Sequence, residues 1–173
     1  MRIFIAADIP NNIKSILHNL QKQIVDNVKI TLVKPENMHL TLKFLGEVDK
    51  NILDEARIRL KDVKFKPFDV SLDNLGVFPH ENYMRVLWIG VKGRVNELSN
   101  KIDPALADLF PKEKKFHAHI TLGRIKFISD KLNFKERLKI RVEGSFKVNS
   151  FRLIRSELTE NGPRYEILED YPL

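Results

Sequence analysis

His39-Leu40-Thr41-Leu42 returns eighty residues later as His119-Ile120-Thr121-Leu122, and the reading of the fold turns on this pair of tetrapeptides. In each, a histidine and a threonine alternate with apolar residues, which is the period of a strand whose side chains two apart share a face. The imidazole and the hydroxyl then stand together while Leu40 or Ile120 enters the core. Two copies of one supersecondary unit predict two lobes related by a pseudo-two-fold axis, with the motifs facing each other across a central cleft.

The flanking sequence fits such units. Arg2 to Ala7 reads as a buried strand, and Pro10-Asn11 opens a helix with Ile13, Ile16, Leu17, Leu20 and Ile24 on one stripe. His18 lies off that stripe and is assigned to the surface. Gly46 and Asp49 turn the motif strand, read from His39 to Phe44, into a weaker helix around Leu53, Ala56 and Leu60. Val70 to Leu75 and Arg85 to Val91 are strand-like, with Phe78-Pro79 expected in a loop between them. Val95, Leu98, Ile102, Leu106 and Leu109 suggest a third helix, kinked or restarted at Asp103-Pro104. From His119 on, strands are expected over 119–122, 140–148, 151–158 and 164–168. The expectation is an α+β fold of one domain spanning 1–173, with two intertwined lobes, antiparallel sheets lining the cleft and helices packed outside.

Composition narrows the function classes. A chain of 173 residues with 43% apolar and 31% charged residues suits one domain with a real core. The apolar run Ile3 to Ala7 is too short for a signal peptide, and no run approaches the ~18 apolar residues a membrane span needs. There is no cysteine, which removes disulfides and thiolate metal sites and makes the cytoplasm the expected compartment. The net charge is +7, and between Lys112 and Arg155 thirteen Lys/Arg face four acids. A polyanion-binding surface and a solvated, solubilising surface both account for that segment.

The repeated motif carries the chemistry. In-line cleavage of a phosphodiester needs a base on the attacking side, an acid on the leaving side and donors for the non-bridging oxygens. Two His-x-Thr strands supply that set twice over, and an imidazole with a pKa near ~6.5 serves either proton role around neutrality. One His-x-Thr alone signifies little. A zinc site is the other reading, since His117 and His119 share a strand face, but no strand-borne carboxylate adjoins either motif. With seven glycines and no G-x-x-x-x-G-K, an ATP-driven enzyme is not expected. A non-catalytic RNA-binding module would use the basic segment and leave the duplicated motif unexplained.

The run Lys34-Pro35-Glu36-Asn37-Met38-His39-Leu40-Thr41-Leu42-Lys43-Phe44-Leu45-Gly46 resembles the first signature of the two-histidine phosphoesterases, in their RNA 2',3'-cyclic phosphodiesterase branch, also called 2'-5' RNA ligase. Phe116 to Arg124, FHAHITLGR, resembles the second. Arg2 to Ala6, Leu75 to Pro79, Arg85 to Gly90, Ser156 to Leu158 and Gly162 to Tyr165 extend the resemblance over nearly the whole chain. It implies that His39 and His119 are the catalytic pair, that Thr41 and Thr121 hold phosphate oxygens, and that neither metal nor cofactor takes part. It further implies RNA with a 2',3'-cyclic phosphate end as substrate, a 2'-phosphomonoester as product, and a reversible, ATP-independent joining of tRNA halves. A monomer is expected. By resemblance His119 activates water and His39 protonates the departing 3' oxygen, although nothing in the sequence separates the two histidines.

Two more phosphate contacts are expected. Lys43 shares strand parity with His39 and Thr41; Arg124 has the wrong parity relative to His119 unless Gly123 introduces a bulge, and the family often has an arginine there. The chain departs from the family at Leu32, where tryptophan is frequent, and at Ala118, where proline is. The missing aromatic bears on base stacking and leaves the proton chemistry untouched. A related esterase acting on a small cyclic nucleotide or on 2'-5' oligoadenylate is the nearest alternative. His117 and His80 are read as an exposed neighbour and a loop residue.

Overall fold

The computed structural model describes all residues, Met1–Leu173. The chain runs β1 (Arg2–Ala7), α1 (Asn11–Ile24), β2 (Val28–Leu32), a short 3-10 turn (Pro35–Asn37), β3 (Leu40–Glu47), α2 (Lys50–Lys61), β4 (Phe68–His80), β5 (Tyr83–Gly93), α3 (Val95–Ala105), β6 (His119–Ile128), α4 (Lys131–Arg137), β7 (Ser145–Val148), β8 (Ser150–Thr159) and β9 (Gly162–Pro172). All strands join one antiparallel sheet in the order β7-β4-β5-β6-β3-β1-β8-β9, with β2 also on β6. The fold is α+β and antiparallel, as the sequence leads one to expect.

The centre of the sheet is the crossing of the two motif strands. β3 and β6 pair at a single position, Leu40 with Ile120, the second residues of the two motifs. Outward from that pair, the strand order is β3-β1-β8-β9 on one side and β6-β5-β4-β7 on the other. Each motif strand is preceded by a strand and a helix, β1-α1 before β3 and β5-α3 before β6.

The helices form where their apolar stripes meet the sheet. Ile13, Leu17, Leu20 and Ile24 of α1, Leu53, Ala56 and Leu60 of α2, and Leu98 and Ile102 of α3 are buried against one face of the strands. Asp49 caps α2 by accepting a hydrogen bond from Ile52 N (3.0 Å), and Asp130 caps α4 in the same way from Asn133 N (3.0 Å). Alternation in β1 sends Ile3, Ile5 and Ala7 into this core, whereas Phe4 and Ala6 join Ile154 and Tyr165 on the opposite face.

Several boundaries depart from the sequence expectation. Phe78-Pro79 is not a loop: β4 runs through it to His80, with a cis peptide bond at that dipeptide and a register shift that leaves Arg85 unpaired. A bulge is one of the few places where a strand accepts proline. The strand expected over 140–148 forms only at Ser145–Val148, and residues 131–137 form the one-sided helix α4, which buries Phe134 alone. β2 lies where no strand was expected. Its alternation of Val28, Ile30 and Leu32 with Lys29 and Thr31 is five residues long and follows a turn at Asn27, whose φ is 59°. No helix is long and apolar enough to cross a membrane.

Candidate active site

Both motif histidines are held in the same way. His39 Nδ1 lies 2.7 Å from the carbonyl oxygen of Asn37, and His119 Nδ1 lies 2.7 Å from that of His117. A carbonyl only accepts, so Nδ1 carries the proton and donates, and the neutral ring keeps its lone pair on Nε2. Each imidazole is thus oriented by the backbone two residues before it. The antiparallel register about Leu40 and Ile120 sets His39 across from Thr121 and Thr41 across from His119. The four polar side chains therefore lie at the crossing on the face opposite Leu40 and Ile120, where the charge of His119 is felt at His39.

The histidines differ in their surroundings. Around His39 stand Phe4, with ring centroids 4.8 Å apart, and Tyr165, edge-on at 5.4 Å. Around His119 stand Phe78, edge-on at 5.0 Å, Trp88 at 6.0 Å and the exposed His117 at 6.0 Å. Burial lowers the pKa of both imidazoles below 6.5. The Asn37 and His117 carbonyls oppose this by favouring the protonated rings; nearby positive charge, from His119 and Lys14 at His39 and from His117 at His119, adds to the lowering. The free site at neutral pH therefore holds two neutral imidazoles.

The two motif strands share a backbone irregularity that decides the fate of the two expected basic contacts. In β3, Ile5 pairs with Lys43 and Ala6 with Thr41, so Leu42 has no partner; in β6, Leu87 pairs with Gly123 and Trp88 with Thr121, so Leu122 has none. Both bulges reset the parity of the residues after them. Arg124 thereby rejoins the face of His119 and Thr121 and is exposed there, where its charge also acts on Tyr165, whose hydroxyl pKa burial raises. Lys43 moves the other way. Its side chain turns into the interior, 4% exposed, where Nζ pairs with the Asp103 carboxylate and donates to Pro111 O (2.9 Å). Lys43 is therefore not a phosphate contact, because the bulge overturns the parity that would have set it beside His39. At the equivalent position Gly123 is closely approached by β2: a Cβ would lie 2.6 Å from Ile30 Cδ1, the end of that side chain, and 3.2 Å from Thr31 O.

The other histidines stand apart from the crossing or at its edge. His18 Nδ1 contacts Gln21 Oε1 (3.2 Å) on α1, and His80 is exposed at the end of β4, opposite Tyr83. Leu32 pairs with Gly123 beside the second motif. No group of three or more His, Asp or Glu side chains is arranged to hold a metal ion. The basic segment is partly neutralised: Lys135, Arg137, Lys147, Arg152 and Arg155 pair with Glu81, Asp26, Asp69, Asp170 and Glu166. Lys114, Lys115, Arg124 and Lys126 stay exposed around the second motif. Phe4, Phe78, Trp88 and Tyr165 are site residues that sequence reasoning did not single out, because they reach the histidines only through strand pairing.

The family described as LigT like phosphoesterase matches the chain twice, over residues 7–88 and 89–165, each match containing one motif. The RNA 2',3'-cyclic phosphodiesterase of Methanocaldococcus jannaschii is 41% identical over 99% of this chain and 100% of its own length. Among solved structures, a Thermus thermophilus protein superposes with a TM-score of 0.86 at 28% identity, covering 100% of this chain and 98% of that one. Escherichia coli LigT complexed with 3'-AMP superposes with a TM-score of 0.81 at 26% identity, covering 99% and 97%.

Proposed function

Because the chain belongs to the LigT-like phosphoesterase family, we propose that it is an RNA 2',3'-cyclic phosphodiesterase, opening the cyclic phosphate at an RNA end to leave a 2'-phosphomonoester. Full-length relatives bearing that activity's name support the substrate class. The observation that carries the assignment of roles is the pair of backbone-anchored imidazoles at the crossing of β3 and β6.

In this reading His39 and His119 are the acid and base. His119 Nε2 takes a proton from a water molecule, the water oxygen bonds to phosphorus, the bond from phosphorus to the 3' oxygen breaks, and His39 delivers a proton to that oxygen. The acid must enter the step protonated although burial disfavours the cation. The anionic phosphate supplies the compensation, since a negative charge between the rings favours an imidazolium. Thr41 and Thr121 donate to the non-bridging oxygens, and Arg124 reaches the same phosphate from beyond its bulge. The proton inventory is complete in these side chains, so the proposed reaction uses no metal, and one chain supplies the whole set, so the proposed working unit is a monomer. The same groups in the same roles would join a cyclic-phosphate end to a 5' hydroxyl, as between tRNA halves: the hydroxyl takes the place of water, gives its proton to His119 and bonds to phosphorus, while the bond to the 3' oxygen breaks and His39 protonates that oxygen.

The experiment is hydrolysis of an oligoribonucleotide ending in a 2',3'-cyclic phosphate, in EDTA, by wild type, His39→Ala and His119→Ala. A 2'-phosphate product that persists in EDTA and falls by about 10²-fold or more in each variant is expected. Folded wild type that leaves the cyclic end intact would overturn the proposal, and a small cyclic nucleotide would then be the substrate to test.

A further inference from the structure

Gln21, Lys43, Ser99 and Asp103 are the four buried polar or charged residues of the chain. None of them faces the His-Thr crossing, and all four serve the segments that carry the motifs. Their arrangement follows from the two bulges. Leu42 and Leu122 each fall out of strand register there, and a helix side chain donates to each of their carbonyls, at Leu122 beside the backbone N of Val33. Ser99 Oγ of α3 donates to Leu42 O (3.2 Å), and Gln21 Nε2 of α1 donates to Leu122 O (2.8 Å). Each helix thus reaches across to the motif strand of the other half.

The same residues fasten the segments leading into the histidines. On one side Gln21 Nε2 also donates to Val33 O (2.8 Å), and Val33 N donates to Leu122 O (2.9 Å). The approach to His39 is therefore clasped to β6, continuing the β2–β6 ladder. On the other side the approach to His119 has no strand to pair with β3. Residues 111–116 are irregular and mostly exposed. Lys43 takes the place of a ladder: its Nζ donates to Pro111 O (2.9 Å) and pairs with Asp103, whose carboxylate accepts from Glu113 N at 3.2 Å and 3.3 Å. Four residues past Glu113 lies His117, whose carbonyl fixes the His119 ring.

We propose that Lys43 and Asp103 are positioning residues for His119, through which the strand bearing His39 sets the place of the opposite imidazole. Stability alone does not account for the pair, since a buried ion pair is often no more stabilising than an apolar pair of the same volume. What apolar side chains cannot supply is the donor to Pro111 O and the acceptor for Glu113 N. The inference rests on the reading of His39 and His119 as the catalytic pair.

The test is the double variant Lys43→Met/Asp103→Leu, which removes both charges together and leaves no buried ion unpaired. Its kcat on the cyclic-phosphate oligoribonucleotide is expected to fall about ten- to a hundred-fold, with KM within about three-fold of wild type. Imidazole nitrogen NMR should show the His119 resonances moved, with His39 unchanged. Asp103→Asn, nearly isosteric, should shift kcat and the His119 resonances in the same direction and serves if the double variant does not fold. A kcat within about two-fold of wild type, or equal displacement of both imidazoles, would overturn the proposal. If His119→Ala instead retains full activity, the catalytic reading fails, while the NMR measurement still decides whether Lys43 and Asp103 place the ring.

Discussion

Gly76→Ala should disturb the His119 side of the site through the only tryptophan in the chain. Gly76 pairs with Trp88 across β4 and β5, and a Cβ added there would lie 2.3 Å from Trp88 Cη2 and Cζ2. Carbon atoms pack at about 3.5–4.0 Å, so the indole must move by roughly 1.2–1.7 Å. It cannot do so alone, because its ring lies 4.6 Å from that of His117 and 4.9 Å from that of Phe78, which in turn packs 5.0 Å from His119. Overpacking of this kind costs about 1–3 kcal/mol. At ~2–4 °C per kcal/mol for a domain of this size, the melting temperature should drop by about 2–12 °C. A displacement near 1 Å next to a reacting group can cost up to about 10²-fold in rate, so kcat should fall with it. Intrinsic fluorescence reports the indole directly, and calorimetry and steady-state kinetics read the other two effects. Gly90→Ala is the control: Gly90 pairs with His119, but its added Cβ would meet Asn74 O at 3.4 Å and Trp88 Cζ3 at 3.6 Å, ordinary contacts. Trp88→Phe should rescue Gly76→Ala in part, since it removes the atoms that clash. Unchanged emission, melting temperature and kcat in Gly76→Ala would refute the packing account.

The pH dependence follows from burial of the imidazoles. Both have pKa values lowered below 6.5 in the fold, so between the lowered values and 6.5 the unfolded chain binds more protons than the native one. Their contribution to stability is then full above pH 6.5 and is lost as pH falls through the lowered values; melting curves of wild type against a His39→Gln/His119→Gln variant should show that slope only in the former. For the same reason the acid limb of kcat/KM should lie below pH 6.5, in a pH–rate profile taken with the cyclic-phosphate oligoribonucleotide. Gln21→Leu should lower stability by about 1–3 kcal/mol, because Val33 O loses its donor while Leu122 O keeps Val33 N. Urea melts read that loss, and a variant as stable as wild type would sink the account.

What the sequence disclosed, it disclosed through local periodicity. The stripe of Ile13, Leu17, Leu20 and Ile24 marks α1, and the two-residue alternation around His39 and His119 marks the motif strands and the face their polar side chains share. The bulges were legible in one copy only. Gly123 advertises a departure from regular pairing, and the parity of Arg124 was open to correction on that ground; Lys43, at the matching place in β3, advertises nothing, and counting by twos sends it to the wrong side. The aromatic surroundings were out of reach for another reason. Tyr165 meets His39 because β8 pairs with both β1 and β9, and Trp88 meets His117 because β5 pairs with β6. Such neighbours are set by register, which no short window of sequence contains. The four buried polar residues lie between these cases. Each stands in an otherwise ordinary helix or strand pattern, and only the tertiary contacts disclose their partners: Ser99 donates to Leu42 O, Gln21 to Leu122 O and Val33 O, and Lys43 pairs with Asp103 and donates to Pro111 O. The duplicated strand therefore repeats its backbone, its bulge and its histidine-threonine pair, while the position after the bulge has diverged to an interior lysine in one copy and a glycine under close approach in the other.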